Sequence, residues 1–336
     1  MPPVHYGGIE RIVDMLARGL TASGHDVVLF ANRASTCPVK TVPWPGQVST
    51  SNLDTARNAL SLARKIARGR FDVVHSFSRI AYLLPILPFA IPKLMTYQRG
   101  ITRRSVQLGH HLSRGTLWFS AISRWMMQNI QDIGTWRLVP NGVPLNAFTY
   151  SPAPGSDAPL VFLGRIEEVK GPHLAIEIAR RAGVSLVIAG NVPPEHRLWF
   201  DRQIAPHIDG KTVSYVGPVD DRQKNALLGG SRALLMPILW EEPFGIVMAE
   251  AMACGTPVLG FPSGAVPEVV EHGVTGFVAP DVAGLAAAVG RIGDISRAAC
   301  RSRVERLFSD TAVVSSYLAV YNEMLSERQQ RGLSAQ

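Results

Sequence analysis

Short apolar runs separated by helix-like stretches dominate this chain, and they occur in two successive sets. The first set consists of predicted strands at residues 26–32, 72–76, 93–96 and 116–120. The second set consists of predicted strands at residues 160–163, 185–189, 213–215, 233–236 and 258–260, with helices at 172–182, 222–228 and 247–253. Strands that alternate with helices form parallel sheets with helical crossovers, so the sequence predicts two doubly wound α/β domains.

The chain length and one loop-rich segment place the predicted boundary between these domains. A chain of 336 residues is long for one domain and sufficient for two of ordinary size. Residues 139–155 are rich in Pro, Gly, Ser and Asn and have no apolar period, which is typical of a linker. We therefore predict an N-terminal domain at residues 1–150 and a C-terminal domain at residues 151–311.

The positive charge of the chain belongs to its N-terminal part. Residues 1–150 hold 17 Lys and Arg against 6 Asp and Glu, a net charge of +11. Residues 151–336 hold 17 against 20, a net charge of −3. This asymmetry implies an anionic partner for the N-terminal domain.

A predicted helix at residues 52–70 carries part of this charge. Its apolar side chains can form one face beside a row of cations. The apolar set is Leu53, Ala56, Leu60, Ala63 and Ala67, and the basic set is Arg57, Arg64, Lys65 and Arg68. Further cations follow at Arg99, Arg103, Arg104 and Arg114. A basic amphipathic helix is typical of docking on an anionic bilayer, and an ordinary solvated helix is the alternative.

The cysteines and the most apolar stretch predict the compartment. Cys37, Cys254 and Cys300 have neither disulfide nor metal-ligand spacing, which favours a reducing compartment. No basic-then-apolar leader opens the chain. Residues 80–95 are too few to span a membrane and contain three prolines. We expect a cytoplasmic protein in which residues 80–95 form a buried helix, turn and strand; a segment that dips into the membrane is the alternative.

Residues 240–258 contain the most specific chemical pattern, two carboxylates eight positions apart around a predicted helix start. Pro243 suits the first turn of a helix, and a glycine after it lets the backbone approach a ligand. The main-chain N–H groups at such a helix start bind anions. These N–H groups belong to Phe244, Gly245, Ile246 and Val247. Glu242 would lie before the helix and Glu250 inside it, so the pattern fits a diphosphate flanked by hydroxyl-bearing sugars.

A second loop supplies cations. Residues 164–171 follow a predicted strand and have glycine at both ends. Arg165 and Lys170 lie five positions apart in this loop, so both can reach one ligand. An ordinary solvated loop is the alternative.

These motifs, in this order, resemble those of the family 4 retaining, nucleotide-sugar-dependent glycosyltransferases. They are residues 6–11 (YGGIER), 139–143 (VPNGV), 162–165 (FLGR), 242–250 (Glu-x7-Glu) and 267–276 (PEVVEHGVTG). The resemblance covers nearly the whole chain and implies the GT-B fold, two Rossmann-like domains that face a central cleft. It also implies that the N-terminal domain binds the acceptor, often a lipid at the cytoplasmic membrane face. A final helix at 312–328 would pack back on that domain.

The resemblance implies roles for individual residues. Arg165 and Lys170 match the cations that hold the donor diphosphate and would stabilise the leaving group, a task that otherwise falls to a metal ion. Glu242 matches the carboxylate that contacts hydroxyls of the donor sugar, and Glu250 matches the one that receives the ribose hydroxyls. The backbone of three glycines would lie close to the diphosphate. These are Gly7, Gly8 and Gly164, and for the first two an ordinary turn is the alternative.

The chain departs from many relatives at two points. Gln98 stands at a strand end where a histidine near the donor sugar is common. An amide cannot exchange a proton near neutrality, so we expect Gln98 to stabilise the developing sugar cation through its oxygen and not to act as a base. Only five residues precede Tyr6, so we expect the first central strand to be missing, through a misplaced start codon, a truncation or decay of the gene. Its loss would expose sheet edges.

The combined interpretation is a retaining enzyme that moves a hexose-type sugar from a nucleoside diphosphate to an acceptor hydroxyl. The acceptor would be a cell-envelope or lipid-linked glycan, with the protein on the inner face of the membrane. We expect no cofactor, no metal because no Asp-x-Asp occurs, and no nucleic acid partner. An epimerase or phosphorylase of the same fold and a nucleotide-sugar-binding protein without turnover are the alternatives. A dinucleotide oxidoreductase is discounted because no Gly-x-Gly-x-x-Gly follows a strand.

Overall fold

The computed structural model describes residues 8–48 and 50–333, which fall into two compact units. The first unit takes the residues up to Asn141 together with those from Asp310 onward, and the second runs from Gly142 to Ser309. The division falls inside the predicted linker at 139–155, so the second unit begins at Gly142 rather than at residue 151. Gly7 and the predicted loss of a first strand concern residues that lie outside the described ranges.

Parallel strands form two sheets in the described part of the first unit. One sheet pairs β1 (Val28–Ala31) with β2 (Lys40–Pro43). The other has four strands in the order β3 (Val74–Ser76), β4 (Lys93–Tyr97), β5 (Leu117–Ala121) and β6 (Trp136–Leu138). All neighbouring strands run parallel, which confirms the predicted α/β class for this unit.

Helices cover these sheets. They are α1 (Gly8–Ala22), α2 (Asn52–Arg68), α3 (Arg103–Ser113), α4 (Arg124–Met127) and the last helix of the chain, α12 (Asp310–Leu333). Helix α1 packs against α12, where a Cβ atom at Gly19 would lie 2.4 Å from Val314 Cγ2. The apolar stretch at 80–95 forms two 3₁₀ turns, Ile80–Tyr82 and Leu84–Ile86, before β4. Among the described residues no helix is both long and apolar enough to cross a membrane.

The face that α2 buries differs from the apolar face predicted for it. Leu62 and Ile66 join the core, whereas Leu53 is 61% exposed and Leu60 is 49% exposed. A polar residue, Asn58, is buried with the core-facing side because its amide exchanges two hydrogen bonds with the backbone of Gly46. Helix α2 therefore has one apolar face in the core and a second one in solvent.

A polar network ties α12 to the sheet of the first unit. His75 Nε2 lies 2.6 Å from Thr96 Oγ1, and His75 Nδ1 lies 2.6 Å from the hydroxyl of Tyr321 on α12. Burial disfavours the charged imidazolium and lowers the pKa of His75 to about 3. His75 is thus held neutral between two hydroxyl groups.

The second unit contains one six-stranded parallel sheet in the order β12-β11-β10-β7-β8-β9. The strands are β7 (Leu160–Leu163), β8 (Leu186–Ala189), β9 (Val213–Tyr215), β10 (Ala233–Met236), β11 (Val258–Gly260) and β12 (Gly276–Val278). The strand order reverses between β7 and β10. In open parallel sheets ligands bind at the carboxyl ends of strands at such a switch point, so the loops after β7 and β10 are the expected site.

Seven helices complete the second unit. They are α5 (Pro172–Ala182), α6 (Arg197–Gln203), α7 (Asp221–Gly230), α8 (Ile246–Ala253), α9 (Val266–Val269), α10 (Val282–Val289) and α11 (Arg297–Leu307). The buried Arg297 at the start of α11 donates to the carbonyl oxygens of Ser151, Gly229 and Ser231 and to the hydroxyl of Thr256, at 2.7 to 3.0 Å. One guanidinium thereby satisfies main-chain acceptors around the end of α7.

Candidate functional site

The loops after β7 and β10 lie side by side, as the strand order requires. The main-chain N–H of Leu239 donates to the carbonyl of Val169 at 2.8 Å. Gly171 has a φ of 75°, and a Cβ atom there would lie 2.0 Å from the carbonyl oxygen of Pro237. Only glycine permits this approach of the two backbones. It brings Lys170 next to Glu242.

Glu242 is fixed by two donors at one of its oxygens. Oε2 accepts hydrogen bonds from Lys170 Nζ at 2.8 Å and from Trp240 Nε1 at 3.0 Å. The ammonium also lies 4.5 Å from the centroid of the Trp240 ring. The side chains of Lys170 and Glu242 are only 13% and 12% exposed, so this charge-assisted pair is largely shielded from solvent. Because both donors use Oε2, the carboxylate keeps acceptor capacity at Oε1 for a ligand hydroxyl.

A third loop holds the backbone that carries Glu242. The N–H of Gly264 donates to the side chain of Glu241 at 2.5 Å, and the N–H of Ala265 donates to the carbonyl of Glu242 at 2.8 Å. The conformation around Glu242 is therefore supported from two directions, which favours a preorganised site.

Helix α8 begins at Ile246, one residue before the predicted range of 247–253, with Gly245 as its N-cap. Gly245 has a φ of 74°, and a Cβ atom there would lie 2.6 Å from Met248 Cε and 3.3 Å from Glu242 Cγ. The first-turn amides of Ile246 and Val247 have no acceptor within the helix, so the helix start can bind an anion. The ring of Phe244 is buried edge-on against Phe308 at 5.4 Å and anchors the turn.

Glu250 has a cationic partner that the sequence did not indicate. Lys224 Nζ of α7 lies 2.5 Å from Glu250 Oε1 and 3.4 Å from Asp221 Oδ1. The Lys224 and Glu250 side chains are as shielded as those of the Lys170 and Glu242 pair. The partners are 26 positions apart in a sequence without a local motif around Lys224, so only the packing of α7 against α8 reveals the pair.

Arg165 lies at the carboxyl end of β7 beside a buried carboxylate. Its Nη2 atom is 2.9 Å from Glu167 Oε1, and His196 Nε2 is 3.4 Å from the other oxygen of Glu167. The preceding Gly164 donates its N–H to the carbonyl of Ala189 at 3.1 Å, which continues the pairing of β7 with β8. Arg165 is therefore the third cation of the candidate site, after Lys170 and Lys224, that lies next to an acid.

Gln98 and Gly8 belong to the first unit. Gln98, directly after β4, exchanges two hydrogen bonds of 2.8 Å with the buried amide of Asn141. The Gln98 oxygen, to which the sequence assigned a role near the sugar, thus accepts a bond from Asn141 and is fixed in orientation by it. Gly8 is the first residue of α1.

Possible metal ligands do not cluster in the part of the chain that the structure describes. No group of three or more His, Cys, Asp or Glu side chains that could hold a metal ion occurs within residues 8–48 and 50–333. The independence from metal that the sequence predicted stays a prediction.

Two family models match adjoining parts of this chain. The model described as Glycosyltransferase Family 4 matches residues 6–147, and the model described as Glycosyl transferases group 1 matches residues 148–296. The first match covers most of the first unit, and the second contains all the ion pairs described above.

Known proteins are similar over nearly the full length of the chain. A glycogen synthase of Mycobacterium tuberculosis is 28% identical, with 95% of this chain and 92% of that protein covered. A phosphatidyl-myo-inositol mannosyltransferase of Mycolicibacterium smegmatis is 28% identical, with 95% and 91% covered. The Anabaena protein Alr3699/HepE, solved with UDP and glucose, is 18% identical with a TM-score of 0.72, covering 96% of this chain and 97% of that one. Likeness to such structures confirms the predicted α/β GT-B fold.

Proposed function

Because this chain belongs to the group 1, family 4 glycosyltransferases and uses a nucleotide-sugar donor, we propose that it transfers the sugar with retention of configuration and without a metal ion. The observation that carries the proposal is the cluster of Lys170, Trp240 and Glu242 beside the start of α8. It combines an anion-binding helix end, a cation for phosphate and a carboxylate for hydroxyls within one loop pair.

Each group of the donor has a matching partner in this arrangement. The first-turn amides of α8, Arg165 and Lys170 hold the diphosphate. Glu242 accepts hydrogen bonds from hydroxyls of the donor sugar through Oε1, and Glu250 accepts them from the ribose. When the diphosphate arrives, Lys170 exchanges its bond with Glu242 for one with a phosphate oxygen.

The configuration at the sugar C1 atom is retained if the acceptor attacks from the same face that the phosphate leaves. The bond between the sugar C1 atom and the phosphate oxygen breaks, and a bond between C1 and the acceptor oxygen forms on the same side. The acceptor proton passes to the departing phosphate oxygen, whose charge Arg165 and Lys170 stabilise. The neutral amide of Gln98 fits this scheme because it supports a developing cation and neither takes a proton nor forms a stable bond to the sugar.

The acceptor that we propose is a lipid-linked or cell-envelope glycan at the inner face of the membrane. One of the relatives is named for mannosyl transfer to phosphatidyl-myo-inositol, which supports a lipid-linked acceptor. The surface of the first unit supports it as well. Residues of α2, the 3₁₀ turns and α3 belong to one core cluster, so these elements pack against the same core.

These elements carry exposed leucines and exposed cations. The leucines are Leu53 and Leu60 on α2, Leu84 in the second 3₁₀ turn, and Leu108 and Leu112 on α3. The exposed cations on the same helices are Arg57, Arg64, Arg68, Arg103 and Arg104. Leucines that enter the interface and cations that attract anionic headgroups are the two components of peripheral membrane binding.

A donor screen tests the proposed function. The purified chain is titrated by calorimetry, with a chelator present, against UDP, GDP, ADP, their sugars and NAD. We expect tight binding of one nucleoside diphosphate, and transfer to a lipid or glycan acceptor with the anomeric configuration of the donor, read by nuclear magnetic resonance. Inverted product would refute retention, activity that appears only on adding a divalent cation would refute metal independence, and silence across the panel would refute the donor site.

A further inference from the structure

Lys224 extends the donor site beyond the residues that any motif of this chain indicates. We propose that Lys224 is a specificity-determining residue that positions Glu250 for both ribose hydroxyls, so that the chain selects ribonucleoside over 2′-deoxyribonucleoside diphosphates. This inference rests on the proposed function, because it takes Glu250 as the acceptor for the ribose.

The geometry of the pair leaves one oxygen of Glu250 for a ligand. Lys224 Nζ lies 2.5 Å from Oε1, so the ammonium engages one carboxylate oxygen and Oε2 keeps its acceptor capacity. A glutamate side chain without such a partner samples several staggered rotamers. A cation on the neighbouring helix selects one of them before the donor binds.

Lys224 itself has two neighbouring side chains besides Glu250. The ring of Phe148 lies 5.4 Å from its ammonium, and Asp221 lies 3.4 Å from it on the outer side. The next residue, Asn225, accepts a hydrogen bond from the N–H of Thr149 and donates one to its hydroxyl. The start of α7 is fixed by a capping box between Asp220 and Gln223. The lysine therefore acts as a rigid support and not as a mobile surface charge.

The same arrangement occurs at both carboxylates of the Glu-x7-Glu motif. Lys170 takes one oxygen of Glu242, and Lys224 takes one oxygen of Glu250. The two lysines differ in position, because Lys170 lies in the phosphate-binding loop pair whereas Lys224 lies on α7 beside the inner part of α8. Lys170 can change partners when the diphosphate binds, but Lys224 serves Glu250 throughout.

Selectivity for ribose follows from the orientation that Lys224 gives to the Glu250 carboxylate. An ionised carboxylate only accepts hydrogen bonds, and the 2′ and 3′ hydroxyls of ribose are two adjacent donors. A site built for a hydroxyl group rejects the analogue that lacks it, because the buried acceptor is then left unpaired. Without the ammonium, Glu250 would lose the partner that fixes its rotamer, and the 2′ hydroxyl would no longer be recognised.

The test compares UDP, GDP and ADP with their 2′-deoxy counterparts by calorimetry on the full chain. For the nucleotide that binds, we expect the wild type to prefer the ribose form by about tenfold or more, the effect of one hydrogen bond to a charged group. In Lys224→Met this ratio should fall below about threefold, with affinity for the 2′-deoxy form nearly unchanged. Lys224→Arg should restore the preference, and Lys211→Met, which removes an exposed lysine of the same unit, should match the wild type.

The outcomes distinguish a failure of this inference from a failure of the proposed function. If the wild type binds none of the nucleotides, the proposed function and the inference both fail. If the wild type prefers ribose and a folded Lys224→Met keeps the same ratio, the inference alone fails. A thermal melt establishes folding, and Lys224→Gln replaces Lys224→Met if the latter unfolds, with the same reduced ratio expected. A general loss of affinity for both forms at an unchanged ratio would assign Lys224 a structural role and overturn the proposal.

Discussion

Replacing Glu242 by alanine should change nucleotide affinity and the rate of sugar transfer in opposite directions. In the free protein Lys170 is bonded to Glu242, so a donor diphosphate has to compete with this carboxylate for the ammonium. Glu242→Ala removes the competitor and leaves Lys170 available to phosphate. The same change removes the carboxylate that accepts hydrogen bonds from the hydroxyls of the donor sugar. We therefore expect tighter binding of the nucleoside diphosphate together with a large loss of transfer.

The size of both effects follows from the geometry. The 2.8 Å bond joins two side chains that are about nine-tenths shielded, and a hydrogen bond between charged groups contributes about 1.5 to 3 kcal/mol. In the variant, the Trp240 ring stays beside the Lys170 ammonium and still competes with the diphosphate for it. We therefore assign about half of that energy to the gain in nucleotide affinity, or roughly three- to tenfold. Loss of a preorganised contact in the transition state lowers kcat by about 100- to 1,000-fold.

The assay is calorimetry with the nucleoside diphosphate identified in the donor screen, combined with steady-state transfer. Trp240→Phe is the matched control, because it removes one donor to Glu242 and keeps the ion pair, so transfer should fall with little change in nucleotide affinity. Arg165→Ala should weaken nucleotide binding by about tenfold or more, since it removes a phosphate ligand. If Glu242→Ala weakens nucleotide binding as much as Arg165→Ala does, the competition argument is wrong.

Three further predictions concern the membrane surface, the second unit and pH. Leu53→Ser combined with Leu60→Ser should lower binding to phosphatidylglycerol vesicles by about tenfold or more, whereas Leu198→Ser, a leucine equally exposed in the second unit, should have no effect in the same sedimentation assay. Arg297→Met should lower the free energy of unfolding by about 3 kcal/mol in a urea titration, because buried carbonyl oxygens lose their donor; a loss below about 1 kcal/mol would contradict the role of the guanidinium. The pKa of His75 is lowered from an ordinary 6.5 to about 3 in the folded state, so the unfolded chain binds the extra proton and stability decreases as the pH falls below 6.5. Between pH 7 and pH 5 the wild type should lose roughly 1 to 2 kcal/mol more than His75→Gln does, and equal losses would show that this histidine is not held neutral.

The fold was predictable wherever an apolar run coincided with a buried strand. The strands β7 and β10 were predicted with the bounds that they have. Both faces of the sheet are covered at such central strands, so all their residues are apolar and form a continuous run. The strands β2 and β6 were not predicted. Their residues are exposed or half-buried, so no apolar run marks them.

The candidate site was predictable to the extent that its parts are local in sequence. The Glu-x7-Glu pattern and the loop at 164–171 predicted Glu242, Glu250, Arg165 and Lys170 as site residues, and the structure places Lys170 against Glu242. Site residues that are paired only through long-range contacts were not predicted. Lys224 reaches Glu250 only because α7 packs beside α8, and no local spacing encodes that contact.

The pairing of cations with carboxylates in the second unit determines which anions can compete for the donor site. Each positive charge at Arg165, Lys170 and Lys224 has an acid within 3 Å, so the attraction for a distant anion is largely cancelled. Inorganic phosphate could take the ammonium of Lys170 but would leave Glu242 with no cation. A sugar nucleotide offers phosphate oxygens to the cation and hydroxyl donors to the acid, so it compensates both halves of the pair. The site would thus discriminate against the simple phosphates that are abundant in cells, through the cost of separating its own charges.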